Sequence, residues 1–295
     1  MKKCLVTGAT GLIGRHVVDS LRDNWEVYAL VRKRVDEASD RIRYIKRDLA
    51  SKWRMDGLPK AVDAVIHLAQ SQYFRDFPMY AGRIFGVNTT STLRLLEYAR
   101  NAQAKTFVLA SSGGIYGHGD REFSENEPII AKDSLEFYLG TKLCAEVLAE
   151  SYTSCMNVVI LRFFFVYGSA QRQTMLIPRL VKAVEEGAPI ILHGTDGLKM
   201  NPTYVTDAVA AVFRSLELKE SQKINIGGPE VLSLRQIGQQ IGEILQREPT
   251  FEIKKHIKPE HLVGDIRKMS NLLGPPQVRF REGIIRYIEK RDERF

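Results

Sequence analysis

The sequence predicts an α/β fold, a parallel doubly wound sheet with a smaller C-terminal lobe. Three observations carry that reading. Short β-branched runs alternate with longer amphipathic stretches up to about residue 170. The short runs are apolar on both faces, as parallel strands covered by helices on two sides must be. Beyond them the rhythm loosens and prolines enter, in IPRL, APII, MNPTYV and GGPE.

Taken in order, KCLVTG reads as the first strand and LIGRHVVDSLRDN as the first helix. EVYALV is the second strand, YIKRDL closes the third and AVDAVIHLA is the fourth. NTTSTLRLLEYARNA then reads as a helix, KTFVLASS as a strand, EFYLGTKLCAEVLAESYTS as a helix and NVVILRFFFVYG as a strand. TDAVAAVFRSL and KINIGG return the chain to the sheet. The expected domains are therefore 1–170 with 203–227 for the sheet, and 171–202 with 228–295 for the lobe. No repeat or low-complexity segment interrupts them.

A chain of 295 residues with 44% hydrophobic content can bury one large core, or a core and a lobe. The formal charge of +8 does not point to nucleic acid, because the bases are interleaved with acids, as in RKRVDEASDRIRYIKRD. It leaves room for a local positive pocket holding a phosphorylated ligand. The six histidines have no metal-ligand spacing, so no metal is expected. Cys4, Cys144 and Cys155 are odd in number and form no C-x-x-C, which predicts reduced, mostly buried thiols. The opening MKKCLVTGATG is too short an apolar segment for a signal peptide, and no run has membrane-spanning length. A soluble cytoplasmic protein without a membrane partner is the expectation.

VTGATGLIG places Gly8, Gly11 and Gly14 between the first strand and the first helix. A tight turn, close approach to a pyrophosphate and close helix packing each require a missing side chain, and the helix entry at Leu12 and Ile13 offers free N–H groups to an anion. The spacing G-x-x-G-x-x-G departs from the commoner G-x-G-x-x-G, but its place in the first βα unit predicts a dinucleotide site. The fold is then of the Rossmann type, with the lobe binding substrate. At the tip of the second strand stand Val31, Arg32, Lys33 and Arg34, with no acid to bond a ribose 2′-hydroxyl. Arg32 favours NADP, with NAD possible. Asp48 and Leu49 follow the third strand, where the carboxylate either reaches the adenine amino group or closes a turn.

In EFYLGTKL, Tyr138 stands four residues before Lys142, on the same face of a helix. An ammonium beside a phenol favours the phenolate and makes proton exchange near neutral pH feasible.

These segments carry a family resemblance. TGATGLIG, DAVIHLA, VNTTSTLRLLEYA, FVLASSGGIYG, YLGTK, LRFFFVYG, NPTYVTDAV, NIGGPEVLSLRQI and DIRKMSNLLG, in that order, resemble an extended short-chain dehydrogenase/reductase of the NAD-dependent epimerase/dehydratase group. The resemblance implies Tyr138 as the acid/base and Lys142 as its electrostatic partner and a ligand of the nicotinamide ribose. It implies Ser112 as the hydroxyl bonded to the substrate oxygen, with Ser111 as the substitute. Leu68, Ala69 and Gln70 would line the cofactor, and Asn88 would support the backbone of the site. His67 reads as a packed histidine.

Departures from the group narrow the substrate. Its dehydratases carry an Asp-Glu pair where this chain has Gly113 and Gly114, so a 4,6-dehydratase is not expected. Phe165 stands where nucleotide-sugar members usually have asparagine, and Met200 where they have arginine, and on a nucleotide-sugar substrate the two would shape an apolar wall beside the nucleotide or sugar. Lys258, Arg162, Arg172 and Arg179 remain as candidate anion contacts. The expected function is an NAD(P)-dependent oxidoreductase acting on a nucleotide sugar, as epimerase or 4-ketoreductase. The alternatives are an NADPH-dependent reductase of another carbonyl metabolite and a catalytically silent NAD(P) sensor. A homodimer is implied through the helices containing Leu93 to Tyr98 and Cys144 to Ala149.

Overall fold

The computed structural model describes residues 1–35, 40–129 and 135–291. Its central sheet has seven strands: β1 (Lys2–Thr7), β2 (Trp25–Val31), β3 (Ile42–Lys46), β4 (Ala64–His67), β5 (Thr106–Ser112), β7 (Asn157–Phe163) and β12 (Gln222–Ile226). Their order is β12-β7-β5-β4-β1-β2-β3. Register is parallel from β3 through to β5, with Val6 opposite both Ala29 and Ile66. The order reverses between β1 and β4, and in such sheets ligands bind beyond the carboxyl ends of the strands at the reversal.

The chain divides into two compact units. The first comprises Met1–Ile115, Ile129–Arg162 and Val209–Ile224. It holds most of the sheet with α1 (Leu12–Leu21), α2 (Ala81–Phe85), α3 (Ser91–Asn101) and α4 (Phe137–Glu150), and α6 (Val205–Ser215) enters it. β1, β2 and β4 are buried nearly end to end, as their unbroken apolar runs require. Leu5, Leu30, Leu95, Leu96, Phe107 and Ile160 form its core beside α3 and α4.

The second unit comprises Tyr116–Pro128, Phe163–Ala208 and Asn225–Phe295. Four short pairs build it. β6 (Glu122–Phe123) joins β15 (Val263–Gly264), β8 (Val166–Tyr167) joins β11 (Thr203–Tyr204), and β9 (Ile190–His193) joins β14 (Phe251–Lys254), all parallel. β10 (Lys199–Met200) runs antiparallel to β13 (Leu232–Ser233). Around them lie α5 (Leu176–Glu186), α7 (Leu234–Leu245), α8 (Arg267–Leu273) and α9 (Phe280–Lys290). α7 starts in a reciprocal cap between Ser233 and Gln236, and α5 stops at Gly187 with φ 69°. These units draw their borders differently from the expected domains: 116–128 and 163–170 belong with the later residues, because β6 and β8 pair with β15 and β11.

Candidate active site

The glycine turn is built by exclusion. Gly8 leaves β1 at φ +71°, and a Cβ on it would lie 2.7 Å from the Ala69 nitrogen. A Cβ on Gly14 would lie 2.1 Å from the Gly8 carbonyl oxygen, so α1 packs directly on the turn. Gly11 is less tightly enclosed: its Cβ would meet the Gly8 oxygen at 3.0 Å. That helix start has no side-chain cap and no acid in its first turn, so its N–H groups at Leu12, Ile13 and Gly14 are open to an anion. The cradle fits a dinucleotide pyrophosphate.

At the tip of β2 the exposed Arg32 donates to Gln72 Oε1 at 2.9 Å. Asp48 accepts from the Ala50 nitrogen at 3.0 Å and pairs with Arg83 at 3.1 Å, which makes it a turn residue. Leu49 packs in the core cluster and leaves a ligand little beyond its backbone.

Tyr138 and Lys142 share one face of α4. Tyr138 donates to Gln70 Oε1 at 2.9 Å, and its ring lies 5.2 Å from that of Phe74. Burial pushes the phenol above its ordinary range, and no neighbouring charge offsets that shift. The Lys142 ammonium is committed elsewhere: it donates to the Ala110 carbonyl at 2.8 Å, at the end of β5. Burial lowers Lys142 to about 8, and Glu146 opposes that change. Ser112 Oγ accepts from the Gly114 nitrogen at 3.1 Å in the turn leaving β5. Ser111 Oγ is buried without a protein partner, while Ser112 is the more accessible of the two.

Behind this face lies a polar lattice. Asn88 sits in a π-helical turn, Gly86–Thr90, between α2 and α3. Its Oδ1 accepts from the Ser71 nitrogen at 3.0 Å and its Nδ2 donates to Thr141 Oγ1 at 2.9 Å. Asn88 thus supports the backbone before Lys142 and does not reach outward. Thr92 Oγ1 donates to the Asn88 carbonyl at 2.7 Å, so it accepts from His67 Nε2 at 3.0 Å. His67 Nδ1 is then left to accept from Thr7 Oγ1 at 2.7 Å. Burial, and next the charge of Lys142, lower His67 to about 3 and keep it neutral. Thr7 Oγ1 also accepts from the Ala69 nitrogen at 3.3 Å, which fixes Leu68 to Gln70 beside the cradle.

Several expected contacts are placed differently. Arg162 is fully buried and bonded to Glu146, so it is no surface anion site. Met200 is 0% exposed, held in β10 opposite Leu232 and bridged to Leu262, and it offers no free wall to a ligand. Lys258 is exposed and pairs with Asp120 at 2.9 Å. Arg172 and Arg179 are exposed, the latter on α5. Phe165 is half-buried with φ +41°. Gly113 is buried, and a Cβ on Gly114 would lie 2.9 Å from Leu139 Cδ2, so the helix carrying Tyr138 leaves little room for an acid there. Cys4 is buried, but Cys144 and Cys155 are exposed because both face away from the sheet core. Among the described residues no cluster of His, Cys, Asp and Glu could hold a metal, and no helix is long and apolar enough to cross a membrane.

Residues 4–227 match the model of the NAD dependent epimerase/dehydratase family. The chain belongs to that family. It is 30% identical, over 92% of each chain, to a Bacillus subtilis protein described as an uncharacterized UDP-glucose epimerase, YtcB. Among solved structures it resembles MoeE5 in complex with UDP-glucuronic acid and NAD, at 30% identity and a TM-score of 0.84 over 97% of this chain and 98% of that one. It also resembles the UDP-glucuronic acid 4-epimerase of Bacillus cereus with UDP-glucuronic acid and NAD, at 28% identity and a TM-score of 0.86 over 98% of each.

As an epimerase/dehydratase family member the chain is an NAD(P)-dependent oxidoreductase of the extended short-chain type, with a nicotinamide cofactor. Sequence reasoning missed the hydroxyls of Thr7, Thr92 and Thr141 and the backbone nitrogen of Ser71, which hold the site together. Thr141 was findable: it precedes Lys142 and lies three residues after Tyr138, on a helix whose exposed positions favour better helix formers. Nothing local marks the others.

Proposed function

We propose that this protein is a UDP-sugar 4-epimerase that keeps its nicotinamide cofactor bound through turnover. The observation that carries the reading is the Tyr138–Lys142 face of α4, with Ser112 on the strand turn beside it and an open glycine cradle at the β1–α1 junction. The names of the similar proteins supply the substrate class. When bound, the nicotinamide supplies reversible hydride acceptance. Tyr138 first gives up its own proton to solvent, and its phenolate Oη then takes the proton of the sugar hydroxyl as that carbon is oxidised and returns it when the ketone is reduced from its other face. Ser112 Oγ hydrogen-bonds the same oxygen. Gln70 releases the phenol hydroxyl it now accepts from. Lys142, held on the Ala110 carbonyl, orients the ribose and supplies positive charge to the phenolate.

The form of the dinucleotide is decided at Arg32. The arginine without a neighbouring acid supports NADP, whereas the NAD in the similar solved structures weighs for NAD. In the second unit Phe165, Arg172, Arg179 and Lys258 are the substrate contacts assigned by this reading, with Lys258 leaving Asp120 to meet phosphate. A homodimer belongs to it as well: Leu93 on α3 and Cys144 and Val147 on α4 are exposed while Leu95, Leu96, Ala145 and Ala149 fill the core. Three thiols without a disulfide suit the reducing cytoplasm assigned here.

Incubation with UDP-glucuronic acid and UDP-glucose, followed by separation of the C4 epimers, tests the reading. Epimer formation without net change in cofactor absorbance is expected. The apolar Phe165 favours one competitor, reduction of a less phosphorylated carbonyl. Net NADPH oxidation by such compounds, with no epimer from any UDP-sugar, would replace the proposal.

A further inference from the structure

Tyr138, Lys142 and Glu146 recur every four residues and form one stripe along α4. The Glu146 carboxylate sits at the buried end of that stripe, with side-chain exposure of 1%. It meets Arg162 of β7, whose own side chain is 2% exposed. Arg162 Nε donates to Oε1 at 3.1 Å and to Oε2 at 3.3 Å, and NH2 donates to Oε2 at 2.7 Å. Such a pair is expensive to desolvate, and apolar residues of similar volume usually serve stability as well or better. Its retention directly behind Lys142 calls for another benefit.

We propose that the Arg162–Glu146 pair is a positioning device for Lys142, in which Arg162 clamps the Glu146 carboxylate one helical turn beyond the ammonium and so keeps that lysine charged inside the protein. The groups facing Lys142 leave this task to Glu146. Tyr138 is a neutral phenol one turn before it, and His67 of β4 is neutral and would repel the ammonium if protonated. The Ala110 carbonyl of β5 supplies a dipole and no charge. Lys142 is brought to about 8 by burial, with Glu146 opposing the fall, so loss of that carboxylate lowers the lysine further. Arg162 is needed because an unclamped carboxylate on α4 would have no fixed place from which to act. Both are positioning residues, since neither touches the reacting atoms.

The inference concerns the Lys142 of the function proposed above, but its test does not depend on turnover. In protein carrying 13C at the lysine ε carbons, the Lys142 resonance is assigned by its loss in Lys142→Arg, and its titration is followed by NMR. The variants are Glu146→Gln and the double change Glu146→Met with Arg162→Met, which removes the charges together and is expected to fold with an unchanged or higher Tm. The expected result is a Lys142 midpoint at least about one pH unit lower in Glu146→Gln, a tenfold weaker hold on the proton, and a smaller fall in the double change, which also removes the opposing charge of Arg162. In parallel the alkaline limb of NAD affinity moves to lower pH by the same amount. A folded double variant whose Lys142 midpoint matches the parent overturns the proposal and leaves the pair as a tie between α4 and β7. A shifted midpoint supports it whether or not any UDP-sugar is turned over.

Discussion

The hydroxyl of Tyr138 donates to the side-chain carbonyl of Gln70 at 2.9 Å, so the hydroxyl proposed above to exchange the proton is already bonded to a residue of the loop after β4. The acceptor orients the phenol from outside α4, while Phe74 packs against its ring. Tyr138→Phe keeps the ring contact and removes only the proton. Turnover is expected to fall by about 10²- to 10⁴-fold, with cofactor affinity, measured by titration calorimetry, within a small factor of the parent. Near-normal turnover would remove Tyr138 from the mechanism.

Buried His67 makes stability depend on pH in a defined direction. Its folded value of about 3 lies below the ordinary 6.5, so the unfolded chain binds the extra proton between them. The contribution is complete above pH 6.5 and is lost as pH falls, at about 1.4 kcal/mol per unit and thus about 2 kcal/mol by pH 5. Urea midpoints at pH 7 and pH 5 measure it. His67→Gln, which can still bond Thr7 and Thr92, is expected to flatten this slope; an equally steep slope in the variant would assign it to other groups.

Phe165 occupies the left-handed region at φ +41°, where a bulky side chain is strained by about 1 to 3 kcal/mol. Asparagine tolerates that conformation far better. Phe165→Asn is expected to raise unfolding free energy by about 1 kcal/mol, seen as a higher urea midpoint at an unchanged slope. A lower midpoint would mean that the ring's packing outweighs the backbone strain. Should the variant gain stability while losing affinity for UDP, the phenylalanine is retained for its contact with ligand.

Among the described residues Arg32 is held by Gln72, and it is exposed, so it can turn towards a 2′-phosphate at little cost. If it binds that phosphate, NADPH binds more tightly than NADH, and Arg32→Asp lowers the preference by about 1.5 to 3 kcal/mol. Fluorescence titrations with both cofactors measure the order. Tighter NADH binding in the parent would mean that the arginine faces solvent and the adenosine ribose carries a free hydroxyl.

Where a position admits few residue types, the sequence was readable. Gly8 and Gly14 can bear no Cβ, and a phenol and an ammonium four residues apart share a helix face, so the cradle and the Tyr138–Lys142 face were both legible. Burial was harder to read. Glu146 lies four residues after Lys142, the spacing of an ordinary exposed pair, and only the fold makes it an interior charge bonded to Arg162. Met200 in its two-residue strand and Leu49 in the turn after β3 were equally hard to read, because an apolar residue in a short strand or turn looks the same whether it faces ligand or core. Asp48 offered two roles at one place, and the nearness of Arg83, distant in sequence, favoured the turn.

The π-helical turn at Gly86–Thr90 adds one residue to the path from α2 to α3. That surplus sets the angular phase at which Asn88 leaves the helix, and each residue of helix advances by about 100°. Deleting one residue from the turn would restore regular winding and swing the amide away from both Ser71 and Thr141 at once. The segment acts as a spacer whose length is counted in single residues. Substitutions along the outer side of α3 can accumulate without reaching the reaction, whereas a one-codon deletion in this turn would silence it with every catalytic side chain intact.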